Sequence, residues 1–291
     1  MEGIVNVLKP PGMTSSNAVA DVRHLFDMKR VGHTGTLDPG AAGVLPICLG
    51  RATRLFDYLV DKEKEYYAEV AFGCATDTQD SYGTVIACGE GIVRMEKLQA
   101  VLPAFIGEIE QVAPMYSAVC VDGKRLYQLA REGAEEIRKT RRVLVHALEP
   151  VAQTGENRFL LRVQCSKGTY VRTLCHDIGR ALGCGACMSS LRRTKAGMFT
   201  LSQAITLPQI LEFAKENDPQ ELLMPVDALF AEFPPLIVEL GQAEKLRNGA
   251  QVKDWHFAPG TYRVYSITGE FLLLGKVENT ILTTIKSFFE V

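Results

Sequence analysis

VLVHALEPVAQTGENRFLLRVQCSKGTYVRTLCHDIGRALG, residues 143–183, decides the fold class. Residues 143–151 and 159–165 read as strands, and Gly155-Glu156-Asn157 between them reads as a hairpin turn. Thr169 is placed to cap the helix that follows. Val171, Leu174, Ile178 and Leu182 recur at helical spacing, and Gly183 stands where a C′ glycine belongs. A hairpin followed by a helix is the opposite of regular βαβ alternation.

The segments upstream agree. Residues 4–8 form an apolar run closed by Lys9-Pro10-Pro11-Gly12, so a strand and a turn. Thr14 offers an N-cap to a helix carrying Val19, Val22, Leu25 and Phe26. VGHTGTLDPGAAG, residues 31–43, is too rich in Gly and Pro for a regular element. Residues 44–49 read as a strand, and residues 52–60 as a helix with Leu55, Phe56 and Leu59 inward. Residues 66–72 read as a strand and TDTQDSYG, residues 76–83, as a polar turn. Met95, Leu98, Val101, Leu102 and Phe105 predict a helix of about three turns. Residues 106–112 and 117–121 are further strands. The expected fold is α+β, a mixed or antiparallel sheet flanked by helices.

Residues 201–235 hold six acids and one base and finish in Phe233-Pro234-Pro235, which reads as a linker. Residues 236–291 then read as short strands with turns at Asn248-Gly249, Pro259-Gly260 and Thr268-Gly269. The expected division is therefore 1–235 and 236–291. The second unit is a small all-β appendage docked on the first, being marginal alone.

Composition narrows the function. Of 291 residues, 47% are hydrophobic and 23% charged, so a core is expected and disorder is not. Lys plus Arg number 32 against 34 for Asp plus Glu, a net of −2. A uniformly basic nucleic-acid coat is excluded, but local basic faces are not. No apolar run reaches the about 18 residues of a membrane span. The opening MEGIVNVLKPPGM lacks a signal-peptide pattern. Eight cysteines in such a chain read as reduced thiols, and the expected location is the cytoplasm.

Two segments could carry chemistry. In GHTGTLDPGAAG, residues 32–43, Pro39 fixes the backbone straight after Asp38, holding that carboxylate on a rigid loop. A plain Asp-Pro-Gly surface turn reads about equally well from spacing alone. A phosphate-cradling loop fits poorly, since the pattern matches neither GxGxxG nor a P-loop. In CSKGTYVRTLCHDIG, residues 165–179, Lys167 and Gly168 precede a helix N-terminus suited to an anion. Arg172 sits in the first turn, where the helix dipole favours acids; a buried carboxylate partner would explain it, an ordinary surface arginine being the commoner case.

Two stretches concentrate positive charge. Residues 124–142 hold seven bases (among them Lys124, Arg125, Arg141 and Arg142) against three acids. Residues 167–195 hold six, including Lys167, Arg192 and Arg193, against Asp177 alone. Tyr127 and Tyr170 lie among them, a mixture that suits RNA, although solvated helical faces would look the same. Cys184-Gly-Ala-Cys187 is a solitary CxxC without a second pair for zinc, and buried thiols are the simpler reading.

GHTGTLDPGAAGVLPICLGRATRL from residue 32, KEYY at 64–67, CSKGTYVRTL at 165–174 and LRRTKAG at 191–197 together resemble the bacterial tRNA pseudouridine-55 synthase (TruB) family. NVLKPPGMTSSNAV and APMYSAVCVDGKRLYQLAREG extend the likeness, in family order, from residue 3 to about 200. RVYSITGEFLLLGKV more weakly resembles the PUA-like module that often ends these enzymes. The resemblance implies isomerisation of one uridine in the tRNA T-loop to pseudouridine, without metal or cofactor. By motif position it makes Asp38 the nucleophile, Arg172 its ion-pair partner and Tyr66 the residue packing on the target base. His33, Tyr170 and Leu191 match positions that line or contact the flipped nucleotide. Lys9 and Pro10 match a motif supporting the catalytic loop. Lys9, Lys124, Arg125, Arg141, Arg142, Lys167, Arg192 and Arg193 are the expected RNA contacts, and residues 124–152 an RNA-binding thumb. Cys187 departs from a histidine of some relatives.

A catalytically silent RNA-binding protein would keep the basic stretches but has no need of an acid in a rigid loop. A guide-RNA-dependent relative would carry a longer C-terminus and basic tails. A stand-alone monomer acting on tRNA, with no guide RNA and no membrane, is therefore expected.

Overall fold

The computed structural model describes residues 2–60, 62–117, 120–121, 123–126, 140–253 and 257–289, with only the backbone at 120–121 and 124–125. The central part of the expected thumb, and the side chains of Lys124 and Arg125, therefore lie outside the described residues.

The main sheet begins with β1 (Gly3–Lys9), β2 (Val31–His33), β3 (Ala42–Leu49) and β4 (Lys64–Phe72). A small hairpin, β5 (Cys74–Thr76) and β6 (Val85–Cys88), precedes β7 (Gly107–Val112). The two-residue strands β8 (Cys120–Val121) and β9 (Lys124–Arg125) pair with each other. The sheet resumes with β10 (Thr140–Gly155), β11 (Arg158–Cys165), β12 (Ala186–Ala196) and β13 (Phe199–Thr200). Its order is β1-β3-β12-β4-β11-β10-β7, with β2 on β3 and β13 on β12. Every pairing is antiparallel except β12 with β3, where Arg192 and Arg193 face Ala42 and Gly43 in parallel. The sheet is mixed, as the hairpin at 143–165 implied.

Helices α1 (Ser15–Leu25), α2 (Phe56–Val60), α3 (Met95–Val101), α4 (Val171–Leu182) and α5 (Leu207–Phe213) flank the sheet. Thr14 caps α1 by accepting from the Asn17 N–H at 3.0 Å. Strand β4 shows period-two burial: Tyr66, Ala68, Val70 and Phe72 enter the core, with Val22 of α1 and Leu174 and Ile178 of α4. Removing so many aliphatic side chains from water is the main stabilising contribution, on the order of 2 kcal/mol for each one fully buried.

Several local expectations need correction. Residues 50–55 form a 3₁₀ turn, and α2 starts only at Phe56. The tighter turn rotates the following positions, so Leu55 and Leu59 are buried but Phe56 is exposed. The helix predicted through Phe105 ends at Val101 and passes into a 3₁₀ turn, Leu102–Phe105, because Pro103 has no N–H to continue it. Thr169 does not cap α4; its hydroxyl donates to the Ser166 carbonyl at 3.0 Å, and Tyr170 takes the N-cap position. Gly183 does close α4 in the left-handed region, at φ 76°. The Gly-rich stretch is irregular only in its middle, because its first residues form β2, paired with the end of β3, and its last two begin β3, paired with β12.

Beyond residue 234 lie β14 (Pro235–Val238), α6 (Leu240–Arg247), β15 (Gly260–Ser266), β16 (Phe271–Glu278) and β17 (Ile281–Ser287). The four strands form their own sheet in chain order. The expected β appendage is present, with its first strand starting inside the Phe-Pro-Pro run and with a short helix the turn pattern did not show. Leu274 and Phe288 of this sheet join Leu55, Phe199 and Phe230 in one apolar cluster. Arg54 donates to the Phe289 carbonyl at 2.9 Å, so the appendage is docked.

Candidate active site

Asp38 lies on the loop between β2 and β3, and the backbone around it is tied on several sides. The Ser15 hydroxyl, at the start of α1, accepts from the Leu37 N–H and donates to the Leu37 carbonyl, both at 2.9 Å. Gly12 N–H donates to the Pro39 carbonyl at 2.8 Å, and Ala41 N–H to Asp38's own carbonyl at 3.0 Å. Lys9 is fully buried, and its ammonium donates to the carbonyls of Pro10, Met13 and Pro39. The loop is a fixed platform rather than a surface turn.

The first turn of α4 delivers Arg172 to this platform, with only 5% of its side chain exposed. Nη2 donates to Asp38 Oδ1 at 3.3 Å; Nε lies 2.9 Å from Oδ2, off-line for a hydrogen bond but in charge contact. The same guanidinium donates to the carbonyls of Thr78 and Tyr116, each at 3.0 Å, and to Asp80 Oδ2 at 3.4 Å. An arginine in the first turn of a helix thus gains the carboxylate partner that it needed, a half-buried one, and a second one besides.

Asp38 keeps an open edge, 38% of its side chain, while protein surrounds the rest. Burial pushes its carboxyl above the ordinary aspartate range. The Arg172 charge opposes the rise, Asp80 adds to it, and Lys9 lowers it. An ion pair held this way fixes the geometry of the carboxylate and keeps a basic oxygen facing outward.

Tyr66 projects from β4 into the core and is 8% exposed. Burial raises the pKa of its phenol, against the pull of a hydrogen bond and charge from Arg193; Asp38 is close enough to add to the rise. His33, at the end of β2, accepts from the Gly35 N–H on Nδ1 at 3.3 Å. Burial and then Arg193 lower its pKa, so it is a neutral imidazole here. Tyr170 is clamped through its backbone by the buried Gln111, and its ring lies under the Arg141 guanidinium at 5.2 Å. Leu191 is buried on β12 opposite Ala68 of β4. Strand order sets Leu191 beside Tyr66, because β12 lies between β3 and β4, while Tyr170 is held at the start of α4 by Gln111 of β7.

Two expected RNA contacts are corrected. Lys9 and Arg193 are buried, at 0% and 1% exposure, and neither faces solvent phosphate. Arg193 donates to the Val44 carbonyl at 2.7 Å and the Gly35 carbonyl at 3.1 Å, bracing both ends of the Asp38 loop. Arg193 was read by charge, and burial turns it into a loop support; Lys9, expected also to support the loop, donates to the loop carbonyl of Pro39 and not to RNA. Arg142, Lys167 and Arg192 are exposed and Arg141 half-exposed. Arg142 also lies 3.4 Å from Glu110.

Asp80 went unnoticed in the sequence, where TDTQDSYG carried only a turn signal. Its partner Arg172 is 92 residues away, so local spacing holds no trace of the pair. Cys184 and Cys187 are buried, as are Cys48, Cys165 and Cys175. A cavity of about 520 Å³ between residues 104–110 and the end of α4 shares no residue with this site.

Comparison with known proteins gives a consistent result. Residues 23–171 match the family model described as TruB family pseudouridylate synthase (N terminal domain). Residues 172–231 match the tRNA pseudouridylate synthase B C-terminal domain. The junction of the two matches falls inside α4 and the nine-stranded sheet, so it is not a structural boundary. Curated proteins named tRNA pseudouridine synthase B are similar along most of the chain. One from Pelotomaculum thermopropionicum is 44% identical over 91% of this chain and 84% of its own length. One from Clostridium kluyveri is 39% identical over 99% and 100% respectively. Among solved structures, a Cbf5-Nop10-Gar1 complex contains a chain matching with a TM-score of 0.72 at 28% identity, covering 99% of this chain and 85% of that one. An H/ACA RNP bound to a substrate RNA containing 2'-deoxyuridine matches with a TM-score of 0.71 at 26% identity, with the same coverage.

Proposed function

This chain belongs to the TruB family of pseudouridylate synthases, and from that premise we propose that it converts uridine to pseudouridine at position 55 in the T-loop of tRNA, as a stand-alone monomer. The observation that carries the reading is the half-exposed Asp38 carboxylate held by the buried Arg172, with the buried Tyr66 close enough to feel the Asp38 charge.

Uridine and pseudouridine have the same composition, so no co-reactant is consumed. The N1–C1′ bond breaks, the uracil turns, and C5 bonds to C1′ while the C5 proton leaves and N1 gains one. Asp38 is the nucleophile, adding to C6 of the base or to C1′ of the ribose; either route needs a carboxylate at a fixed position. Arg172 holds that position and favours the ionised form. A uridine stacked inside a T-loop is out of reach, so it must be flipped out, at a cost of a few kcal/mol. Stacking on Tyr66 offsets about 1–3 kcal/mol of that. Burial raises the pKa of the Tyr66 phenol, and whether the residue also accepts a proton is left to its Tyr66→Phe variant. His33, Tyr170 and Leu191 line the space for the flipped nucleotide.

Arg141, Arg142, Lys167 and Arg192 supply phosphate contacts from the described surface, with Lys124 and Arg125 beside them in sequence. These give salt-dependent affinity despite the near-neutral whole. The β sheet after residue 234 acts as a PUA-like module, making residues 1–235 the catalytic unit. The cytoplasm is the proposed location; among the described residues no helix is long and apolar enough to cross a membrane.

The test is tritium release from a T-arm stem–loop labelled at C5 of its uridines, with no guide RNA and no added metal. The wild type is expected to release one equivalent and Asp38→Asn none, while both bind the RNA. Binding without release by the wild type would overturn this reading in favour of a silent RNA-binding protein or a synthase with a different RNA target.

A further inference from the structure

Tyr82 is the most exposed large hydrophobic side chain among the described residues, at 76%. It is also firmly placed. Its N–H donates to Asp80 Oδ1 at 3.1 Å, and the Thr78 hydroxyl donates to the same oxygen at 2.7 Å. Ser81 N–H donates to the Met188 carbonyl at 2.9 Å and Gly83 N–H to the Asp80 carbonyl at 3.3 Å. The phenol end of the ring lies on the Asp38 loop. A Cβ added at Gly40 would come within 2.4 Å of the Tyr82 ring. An aromatic side chain therefore spans from the β5–β6 hairpin to Gly40, two residues after Asp38, with most of its surface open to solvent.

We propose that Tyr82 is a binding platform on which an unpaired nucleobase next to the target uridine stacks. The inference rests on the pseudouridylation reading. In that reading one base is flipped to Asp38, so its neighbours in the RNA must lie beside the Asp38 loop, and the Tyr82 ring lies against that loop at Gly40. A π-face stacks on any base, and here the backbone that presents it is already ordered by Asp80. The same aspartate holds Arg172, so one carboxylate serves both the ion pair and the platform.

Binding of T-arm stem–loops is measured in an Asp38→Asn background, which stops turnover. The stem–loops have an intact base or an abasic site on the 5′ or the 3′ side of the target. Tyr82→Ala is expected to weaken binding of intact RNA about tenfold, and Tyr82→Phe and Tyr82→Trp to restore it. An abasic site on one side should cost the protein that retains Tyr82 about tenfold and the Tyr82→Ala variant nothing further. With Asp38 present, the Tyr82→Ala loss should fall in KM rather than kcat. The proposal is overturned if Tyr82→Ala binds intact RNA as tightly as the parent. It is equally overturned if its loss is undiminished on both abasic RNAs, which would assign the ring to holding Gly40. A wild type that binds with this coupling but forms no pseudouridine would overturn the catalytic reading and leave the platform standing.

Discussion

Replacing Arg172 by lysine keeps the charge and removes the fork. The guanidinium donates to four groups from its two terminal nitrogens: the carbonyls of Thr78 and Tyr116 at 3.0 Å and the carboxylates of Asp38 and Asp80. A lysine ammonium has three protons on one atom and cannot bridge groups on opposite sides of a planar fork. At least two charged hydrogen bonds are lost, each contributing about 1.5–3 kcal/mol. With 5% exposure at Arg172 there is little solvent to replace them. Asp38 has an open edge, so its share is discounted. The remaining loss, about 3 kcal/mol, corresponds to a fall of about 150-fold in the single-turnover rate if it is felt at the nucleophile. The assay is quench-flow formation of pseudouridine at saturating RNA, with RNA binding and thermal unfolding measured on the same preparation to separate misfolding from misplacement. A folded, RNA-binding Arg172→Lys protein within about threefold of the wild-type rate would refute the argument that the fork positions Asp38.

The pH profile of the same rate should be bell-shaped. Asp38 must be ionised to attack, and burial lifts its carboxyl, so the acid limb lies above that of an exposed aspartate. Lys9, lowered to about 8 by burial, loses its proton above that pH. It then has two donors for three carbonyls, and a rate that stays flat from about pH 7.5 to about 10 would remove Lys9 from support of the loop. Phe288→Ala should lower stability by about 3–5 kcal/mol, because the ring packs on Phe230 and Phe271 at 5.8 and 5.3 Å. Urea unfolding should still show one transition; a separate early one would mean that the appendage folds by itself. Iodoacetamide at neutral pH should label exposed Cys88 in the native protein and reach Cys48 and Cys175, whose thiols burial pushes up to about 12, only after denaturation. Rapid native labelling of Cys175 would contradict its burial.

Much of this was legible where the physics is local. The hairpin at 143–165, the Thr14 cap and the Gly183 terminus each depend on residues a few positions apart, and each was read correctly. Thr169 failed because a nearer carbonyl, that of Ser166, competes for the hydroxyl, and Phe56 because a 3₁₀ turn shifted the phase. The family likeness put Asp38, Arg172 and Tyr66 on one list, and the structure brings them to one site. What remained hidden were long-range choices. Asp80 looked like any turn aspartate, and Arg193, adjacent to the exposed Arg192, looked like another surface base. On a strand, neighbouring side chains point to opposite faces; only the placement of β12 between β3 and β4 decides which of the two arginines goes inside.

That placement also dictates when, during synthesis, the site can exist. Arg193 joins carbonyls 149 and 158 positions earlier in the chain, and Arg172 meets Asp38 across 134. Contacts closing such long stretches of chain form late and slowly. A growing chain can pair β1 with β3 early, and Lys9, Gly12 and Ser15 can tie the loop between β2 and β3, yet its Arg193 brace is missing until β12 has emerged from the ribosome and slid between its neighbours. The carboxylate is thus fully set only near the end of translation, and a product stopped before residue 172 would carry every residue of the early motifs without either arginine that completes the site.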